Sequence, residues 1–104
     1  MKMRVIDTDL LNKTADTTLL GALGIKITRV TEDEIEGTMP VDHRTHQPYG
    51  LLHGGASVAL AETLGSIGAS LCIDTTQFYC VGLDINANHI TGVRDGFVTG
   101  IAKP

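Results

Sequence analysis

Alternating apolar and polar positions predict four strands in this chain. The stretch IKITRV (25–30) alternates and is rich in β-branched residues, and EIEGTMP (34–40) follows it after the short turn TED, so the two predict an antiparallel hairpin. Further along, FYCVGLDINANHI (78–90) predicts a long strand with an apolar and a polar face. FVTGIA (97–102) begins another strand after a turn, and the polar stretch VDHRTHQPYG (41–50) predicts a loop.

Helical sequence occurs in two places. Residues 8–23 predict one or two short helical turns, with Asp16 as the N-cap and Gly24 as the stop. The run GGASVALAETLGSIGASLCI (54–73) predicts one long helix that is apolar or small at almost every position. We therefore expect it to be the most buried helix of the chain.

Strands on both sides of one central helix predict an α+β fold, in which an antiparallel sheet wraps around the long helix. At 104 residues the chain is expected to be one domain, residues 1–104. Four strands cover a helix of about five turns poorly. Either the chain lacks the last strands at its carboxyl end, or a partner chain supplies much of the cover.

Composition excludes several classes of protein. A hydrophobic content of 42% and a charged content of 19% exclude a disordered chain, and a net charge of −4 without a basic patch argues against a nucleic-acid partner. The apolar run 51–73 contains His53, Glu62 and four glycines, so we predict no membrane span. Cys72 and Cys80 predict reduced thiols in a cytoplasmic protein, the alternative being a disulfide between them.

The long helix carries two features with chemical potential. At its amino end, LLHGG offers free backbone N–H groups to an oxygen bearing negative charge, and Gly54 and Gly55 let that oxygen come close. Glu62, the one carboxylate of the run, lies seven residues past Gly55, about 10 Å along the helix. Ser66 follows Glu62 at i+4, on the same face.

That separation predicts a site shared between subunits. A single carbonyl cannot contact both groups of one helix, but two antiparallel helices related by a two-fold axis bring the amino end of one beside the acid of the other. The small residues Ala56, Gly65 and Gly68 suit such close packing. Partial desolvation there would make Glu62 a better base or nucleophile. The alternative is a buried structural glutamate, satisfied by backbone groups or by an arginine such as Arg44.

Other polar residues gather just before the helix. The Gln47 side-chain amide can donate a hydrogen bond to a carbonyl oxygen, although a solvated loop glutamine is the more common case. His53 is placed to cap or pack against the helix start. His43, His46 and His53 lack the spacing of zinc ligands and no cysteine accompanies them, so no metal site is predicted.

The stretch HQPYGLLHGGASVALAETLGS (46–66) resembles the hotdog-fold acyl-CoA thioesterases of the phenylacetate-degradation type. The similarity runs from about Leu20 to Pro104 and is strongest to the 1,4-dihydroxy-2-naphthoyl-CoA thioesterases of menaquinone biosynthesis and the enterobactin proofreading thioesterases. It implies a hotdog fold, thioester hydrolysis without a cofactor, and a homodimer with shared active sites that pairs further into a tetramer. Members of the family usually continue past this point with strands that complete the sheet.

The resemblance also implies a role for each catalytic residue. Glu62 falls on the family's glutamate, which acts as nucleophile or as general base for water. The Gly55 N–H and the Gln47 amide fall on the donors that polarise the thioester carbonyl. His53 falls near the carbonyl or the leaving sulfur, and Ser66 on the hydroxyl that could orient water.

The substrate implied by the resemblance is an acyl-CoA with an aromatic acyl group, such as 1,4-dihydroxy-2-naphthoyl-CoA. Gly54, Tyr49, Ile67 and His89 fall on positions that contact the substrate or line its acyl and pantetheine channel.

Alternative functions remain open at this point. The chain could act on acyl-carrier-protein thioesters as a proofreading enzyme, or bind acyl-CoA without turning it over. A hydratase or dehydratase on the same fold pairs its histidine and acid within a different motif. A purely structural dimer would leave Gln47, Gly55, Glu62 and Ser66 without a role.

Overall fold

The computed structural model describes residues 2–72, the backbone of 79–85, and residues 94–104. The chain order is two short helices, a hairpin, one long helix and two further strands. The elements are α1 (Thr8–Ala15), α2 (Leu19–Leu23), β1 (Lys26–Val30), β2 (Ile35–Pro40), α3 (Gly54–Leu71), β3 (Tyr79–Ile85) and β4 (Phe97–Lys103).

The strands of the described residues form one antiparallel sheet in the order β1-β2-β4-β3. The predicted hairpin is present as β1 and β2, and β4 joins the other side of β2. Residues facing the core stand opposite each other across the β2–β4 pair, Met39 beside Val98 and Ile35 beside Ala102. Because every second residue points inward, this register gives the sheet one apolar face.

Helix α3 lies on that apolar face and packs against β2, β3 and β4. Leu60 and Leu64 are fully buried there, and burial of each such side chain contributes about 1.5–3 kcal/mol. Gly37 of β2 makes the contact possible, since a Cβ at this position would stand 2.9 Å from Leu64 Cδ2. The predicted α+β class, an antiparallel sheet on a long central helix, is confirmed.

Helix α1 covers the β1 edge of the sheet. The side-chain amide of Asn12 on α1 donates to the Ile27 carbonyl at 2.8 Å and accepts from the Ile27 N–H at 2.7 Å. This side chain therefore substitutes for a neighbouring strand at an edge that would otherwise expose unpaired backbone groups.

The predicted helix cap at Asp16 is wrong. Asp7 caps α1 and Thr18 caps α2, while Asp16 lies at the carboxyl end of α1. Thr18 can accept from the Leu20 N–H because its backbone is extended, whereas Asp16 has a helical backbone. The predicted stop at Gly24 is confirmed, with a left-handed φ of 74°.

Some expectations fall on parts of the chain outside the described residues. Of the predicted strand 78–90 the structure describes β3, and the remainder, including His89, lies outside. Cys72 is a free and buried cysteine, while the Cys80 side chain is not among those described. No helix within the described ranges is long and apolar enough to cross a membrane.

Candidate active site at the amino end of the long helix

Thr45 fixes the loop that leads into α3. Its side chain is buried, and its hydroxyl donates to the Pro40 carbonyl at 2.7 Å and accepts from the Asp42 N–H at 3.2 Å. Its own carbonyl accepts from the His53 N–H at 2.7 Å. The end of β2 is thereby tied to the residue that begins the long helix. No sequence motif marks Thr45, although Asp42 begins the turn, with its Oδ1 accepting from the Arg44 N–H two residues on.

Arg44, which was considered as a partner for Glu62, is paired elsewhere. Its Nε donates to Asp42 Oδ1 at 3.1 Å and its Nη2 to Asp42 Oδ2 at 2.7 Å. This hydrogen-bonded guanidinium lowers the pKa of Asp42 to about 2. The carboxylate of Asp42 therefore stays charged at neutral pH and holds the arginine in the loop.

The amino end of α3 is capped by a histidine. His53 is the N-cap residue, and its Nδ1 accepts from the Gly55 N–H at 2.8 Å. A neutral ring with Nδ1 as acceptor carries its proton on Nε2. The predicted donor, the Gly55 N–H, is therefore occupied by the imidazole in this structure. A substrate oxygen could receive that hydrogen bond only after the His53 ring turned away.

Gln47 is oriented by a tight turn. The backbone N–H of Gln47 donates to the Leu51 carbonyl at 2.7 Å, and its side-chain oxygen accepts from the Tyr49 N–H. Because the oxygen is engaged, the amide NH₂ is left to donate, as the predicted role requires. Tyr49 itself is 83% exposed on the surface of the chain, and its proposed place in the acyl channel stays a prediction.

Glu62 is exposed, which corrects the expectation of an acid within a buried helix. One side of α3 is exposed and runs from the glycines at its amino end through Val58, Glu62, Ser66 and Ser70, at spacings of three and four residues. The sheet covers only the opposite side of α3. The sequence did not separate the two sides because small or apolar residues occur on both.

Two of the three small residues assigned to close packing between helices lie on the other side of α3. Ala56 and Gly68 are buried within the chain, on the side that packs against the sheet. Gly65 is compatible with the expectation, since a Cβ there would contact nothing within 4 Å. Ile67, predicted to line the substrate channel, is half-buried and packs against the core.

A pocket of about 300 Å³ opens beside the amino end of α3. Its apolar walls are Leu19 and Leu23 of α2 and Ala56 and Ala59 of α3. No motif in the sequence marks the two leucines as site residues. Their place in the pocket depends on how α2 packs against an element more than 30 residues away, which no local pattern records.

The polar part of the same pocket contains two of the predicted site residues. It is lined by Arg44, Thr45, His46, His53 and Gly55. Gln47, Glu62 and Ser66 do not line it. The structure of one chain thus joins the helix amino end to an apolar pocket and leaves the acid about 10 Å further along the helix. Among the described side chains, no group of three histidine, cysteine or acidic residues could hold a metal ion.

Comparisons with known proteins find similar sequences over most of the chain. A family model described as "Thioesterase superfamily" matches residues 49–104. The 1,4-dihydroxy-2-naphthoyl-CoA hydrolase of Escherichia coli is 48% identical over 101 residues, which are 97% of this chain and 74% of that protein. Five curated relatives are 48–60% identical to the chain, which spans 65–74% of their own lengths.

Solved structures include similar proteins of the same description. A thioesterase from Haemophilus influenzae is 51% identical with a TM-score of 0.77, and the match covers 99% of this chain and 71% of that one. A mutant thioesterase from Pseudomonas aeruginosa is 48% identical with a TM-score of 0.77, covering 98% and 73%.

Proposed function

Because the chain belongs to the thioesterase superfamily, we propose that it hydrolyses an acyl-CoA thioester to the free acid and coenzyme A. The predicted family and its hotdog fold are confirmed by the family match and the solved neighbours. The predicted enzyme class, a thioester hydrolase, is the class of the relatives and is confirmed at that level.

The exposed side of α3 is the main structural support for this proposal. The amino end of α3 borders an apolar pocket, and the Glu62 residue lies further along the same exposed side of the helix. Val58, between them, is 66% exposed, so an apolar residue lies in the centre of this polar site. A second copy of α3 running antiparallel would cover Val58 and bring its own Glu62 to the helix end. We therefore retain the homodimer with shared sites as part of the proposal.

The chemistry follows from the groups at the two ends. The thioester carbonyl oxygen binds at the α3 amino end, where backbone N–H groups and the Gln47 amide stabilise the negative charge that develops on it. Within the described residues the Gly54 N–H has no hydrogen-bond acceptor, so a donor is free there even while His53 occupies the next one.

The partner's glutamate supplies the attacking group. As a general base, its carboxylate takes a proton from water while the water oxygen bonds to the carbonyl carbon. As a nucleophile, it bonds to that carbon itself and the resulting anhydride is then hydrolysed. In both routes the C–S bond breaks and the thiolate leaves and is protonated. Ser66, one turn along the exposed side, is placed to hold the water.

The acyl group, the pathway, the further assembly and the location of the protein are separate assignments. One relative is named for an aromatic acyl-CoA, which supports an aromatic acyl group, such as 1,4-dihydroxy-2-naphthoyl, as the first substrate to test. A place in menaquinone biosynthesis, the assembly of dimers into a tetramer and a cytoplasmic location remain predictions from the sequence.

Release of free thiol from a panel of aryl- and alkyl-CoA thioesters tests the proposal. Glu62→Gln should lower kcat by at least about 10³-fold, because it removes the base or nucleophile while keeping the shape of the side chain. Glu32→Gln is the matched control, an exposed glutamate at the turn between β1 and β2, and it should leave kcat unchanged. Undiminished hydrolysis by the Glu62→Gln protein would remove this residue from the mechanism.

A further inference from the structure

The pocket beside α3 has a wall that the proposed chemistry does not use. Leu19 and Leu23 lie one turn apart on α2 and face Ala56 and Ala59 across the pocket. Leu19 remains 61% exposed, so this side chain contributes little to the core of the chain. A large apolar side chain at the edge of a pocket is well placed to contact a ligand.

Helix α2 is held firmly enough for this wall to be preformed. Thr18 caps its start, and the Ile25 N–H donates to the Leu20 carbonyl at 2.8 Å at its end. Gly24 follows with a left-handed φ of 74°, and a Cβ there would stand 2.7 Å from Arg44 Nη1. The carboxyl end of α2 is therefore in close contact with the loop that carries the polar part of the pocket.

The chemistry of the pocket favours an uncharged, apolar occupant. Its four apolar walls are two leucines and two alanines. Its one arginine, Arg44, has two of its nitrogens bound to the Asp42 carboxylate, which offsets its charge. A volume of about 300 Å³ is at the lower end of the range of small-molecule pockets. It suits a ring or a short chain better than a nucleotide.

Position then identifies which part of the substrate enters. His53 and Gly55 line the same pocket, so a thioester carbonyl bound at the helix amino end would lie at its mouth. The thioester carries the acyl group on its carbonyl carbon and the pantetheine arm of coenzyme A on its sulfur. The pantetheine arm contains two amides and must continue to the charged nucleotide. The acyl group needs no such continuation and can end against the apolar walls of the pocket.

We propose that the acyl group of the substrate enters the pocket between α2 and the first two turns of α3, and that Leu19 and Leu23 determine which acyl groups are accepted. This inference rests on the proposed thioester hydrolysis, since it assigns the acyl end of the substrate of that reaction. It makes α2, which precedes the matched family segment, the element that sets specificity.

Substitution of Leu19 tests the inference against a matched leucine. Leu10 on α1 is 64% exposed and does not line the pocket, so Leu10→Trp controls for the effect of an added surface tryptophan. Leu19→Trp should narrow the pocket. It should lower kcat/KM for bulky aryl-CoA thioesters by about 10-fold or more, the usual scale for a changed apolar contact, while acetyl-CoA changes less than about twofold. Leu19→Ala should shift the ratio the other way, and Leu10→Trp should leave it unchanged.

Non-hydrolysable thioether analogues with small and bulky acyl groups measure the same preference without turnover. The quantity compared is the ratio of the two Kd values in each variant. An equal loss for all acyl groups would place the pantetheine arm in the pocket and overturn the inference, and so would no change in either ratio. A wild-type protein that cleaves none of the panel would refute the proposed hydrolysis. In that case the Kd ratio alone still decides whether Leu19 contacts the acyl group.

Discussion

The two sides of α3 differ in what completes them. On the inner side, Leu60 and Leu64 are fully buried against strands of the same chain. On the outer side, Val58 and Glu62 are exposed, with nothing from the described part of the chain over them. The inner side is therefore fully covered by the chain itself. The outer side places one acid beside an exposed apolar residue, and the proposed second copy of α3 would cover both.

The largest expected effect comes from testing whether each active site contains residues from two chains. Gln47→Ala and Glu62→Gln should each lose activity, by about 10²-fold for a lost carbonyl donor and more for the acid. In a heterodimer of the two variants, purified through two different tags, one of the two sites keeps both groups. Its activity should recover to about half that of the wild-type dimer, measured by thiol release.

A second heterodimer provides the control for this experiment. Glu62 and Ser66 belong to the same part of a shared site, so pairing Glu62→Gln with Ser66→Ala leaves neither site intact. This heterodimer should show no gain over the mean of the two parent proteins. If the first heterodimer were equally inactive, each site would lie within one chain and the outer side of α3 would have another purpose.

The inner side should respond to mutation in stability and not in chemistry. Leu64→Ala is expected to lower the free energy of unfolding by about 2–5 kcal/mol through the cavity it leaves. Gly37→Ala should cost about 1–3 kcal/mol, because its new methyl group would stand 2.9 Å from Leu64 Cδ2. In the double variant the methyl group can enter the space that Leu64 vacates. The combined cost should be less than the sum, as measured by denaturant unfolding.

Val5→Ala serves as the control for these variants, since Val5 is 61% exposed and its truncation should change stability by less than about 0.5 kcal/mol. Costs for Gly37→Ala and Leu64→Ala that simply add, within about 0.5 kcal/mol, would show that the two residues do not share a contact. The inner side would then be less tightly packed than the structure indicates.

The sequence predicted local elements well because local patterns determine them. The hairpin and β4 agree with the predicted ranges to within one residue at each end, since alternation and turn residues are properties of short segments. The polar stretch 41–50 and the glycines that follow it likewise predicted the loop and the helix start correctly. The choice of Asp16 as a cap failed because Thr18, two residues later, can also cap a helix, and the backbone conformation of the folded chain decides between them.

Contacts between elements that are distant along the chain could not be predicted from the sequence. Nothing local to 54–73 tells which side of α3 the sheet covers, because alanine and glycine occur on both sides. The pocket depends on the packing of α2 against α3, and Thr45 acquires its role by joining the end of β2 to His53. Each of these features brings together residues from elements that are separate along the chain.

The smallest expected effect is a difference in stability between alanine substitutions at the two glycines that begin α3. A Cβ at Gly54 would contact nothing within 4 Å, whereas one at Gly55 would stand 2.9 Å from both Nδ1 and Cε1 of His53. Gly54→Ala should therefore stabilise the chain by up to about 1 kcal/mol through its higher helix propensity. Gly55→Ala should gain less or lose stability, because its methyl group displaces the histidine ring from the Gly55 N–H.

Thermal unfolding of the two variants measures this difference, and hydrolysis shows whether it matters to the outer side of α3. If the substrate oxygen approaches the Gly55 N–H, Gly55→Ala should lower kcat/KM more than Gly54→Ala does. Only the Gly55→Ala methyl group would lie beside both this N–H and the His53 ring. Equal stability and equal activity of the two variants would mean that the His53 ring moves freely from its cap. The hydrogen bond to Gly55 would then make no measurable contribution, and the amino end of α3 would be open to substrate without any displacement.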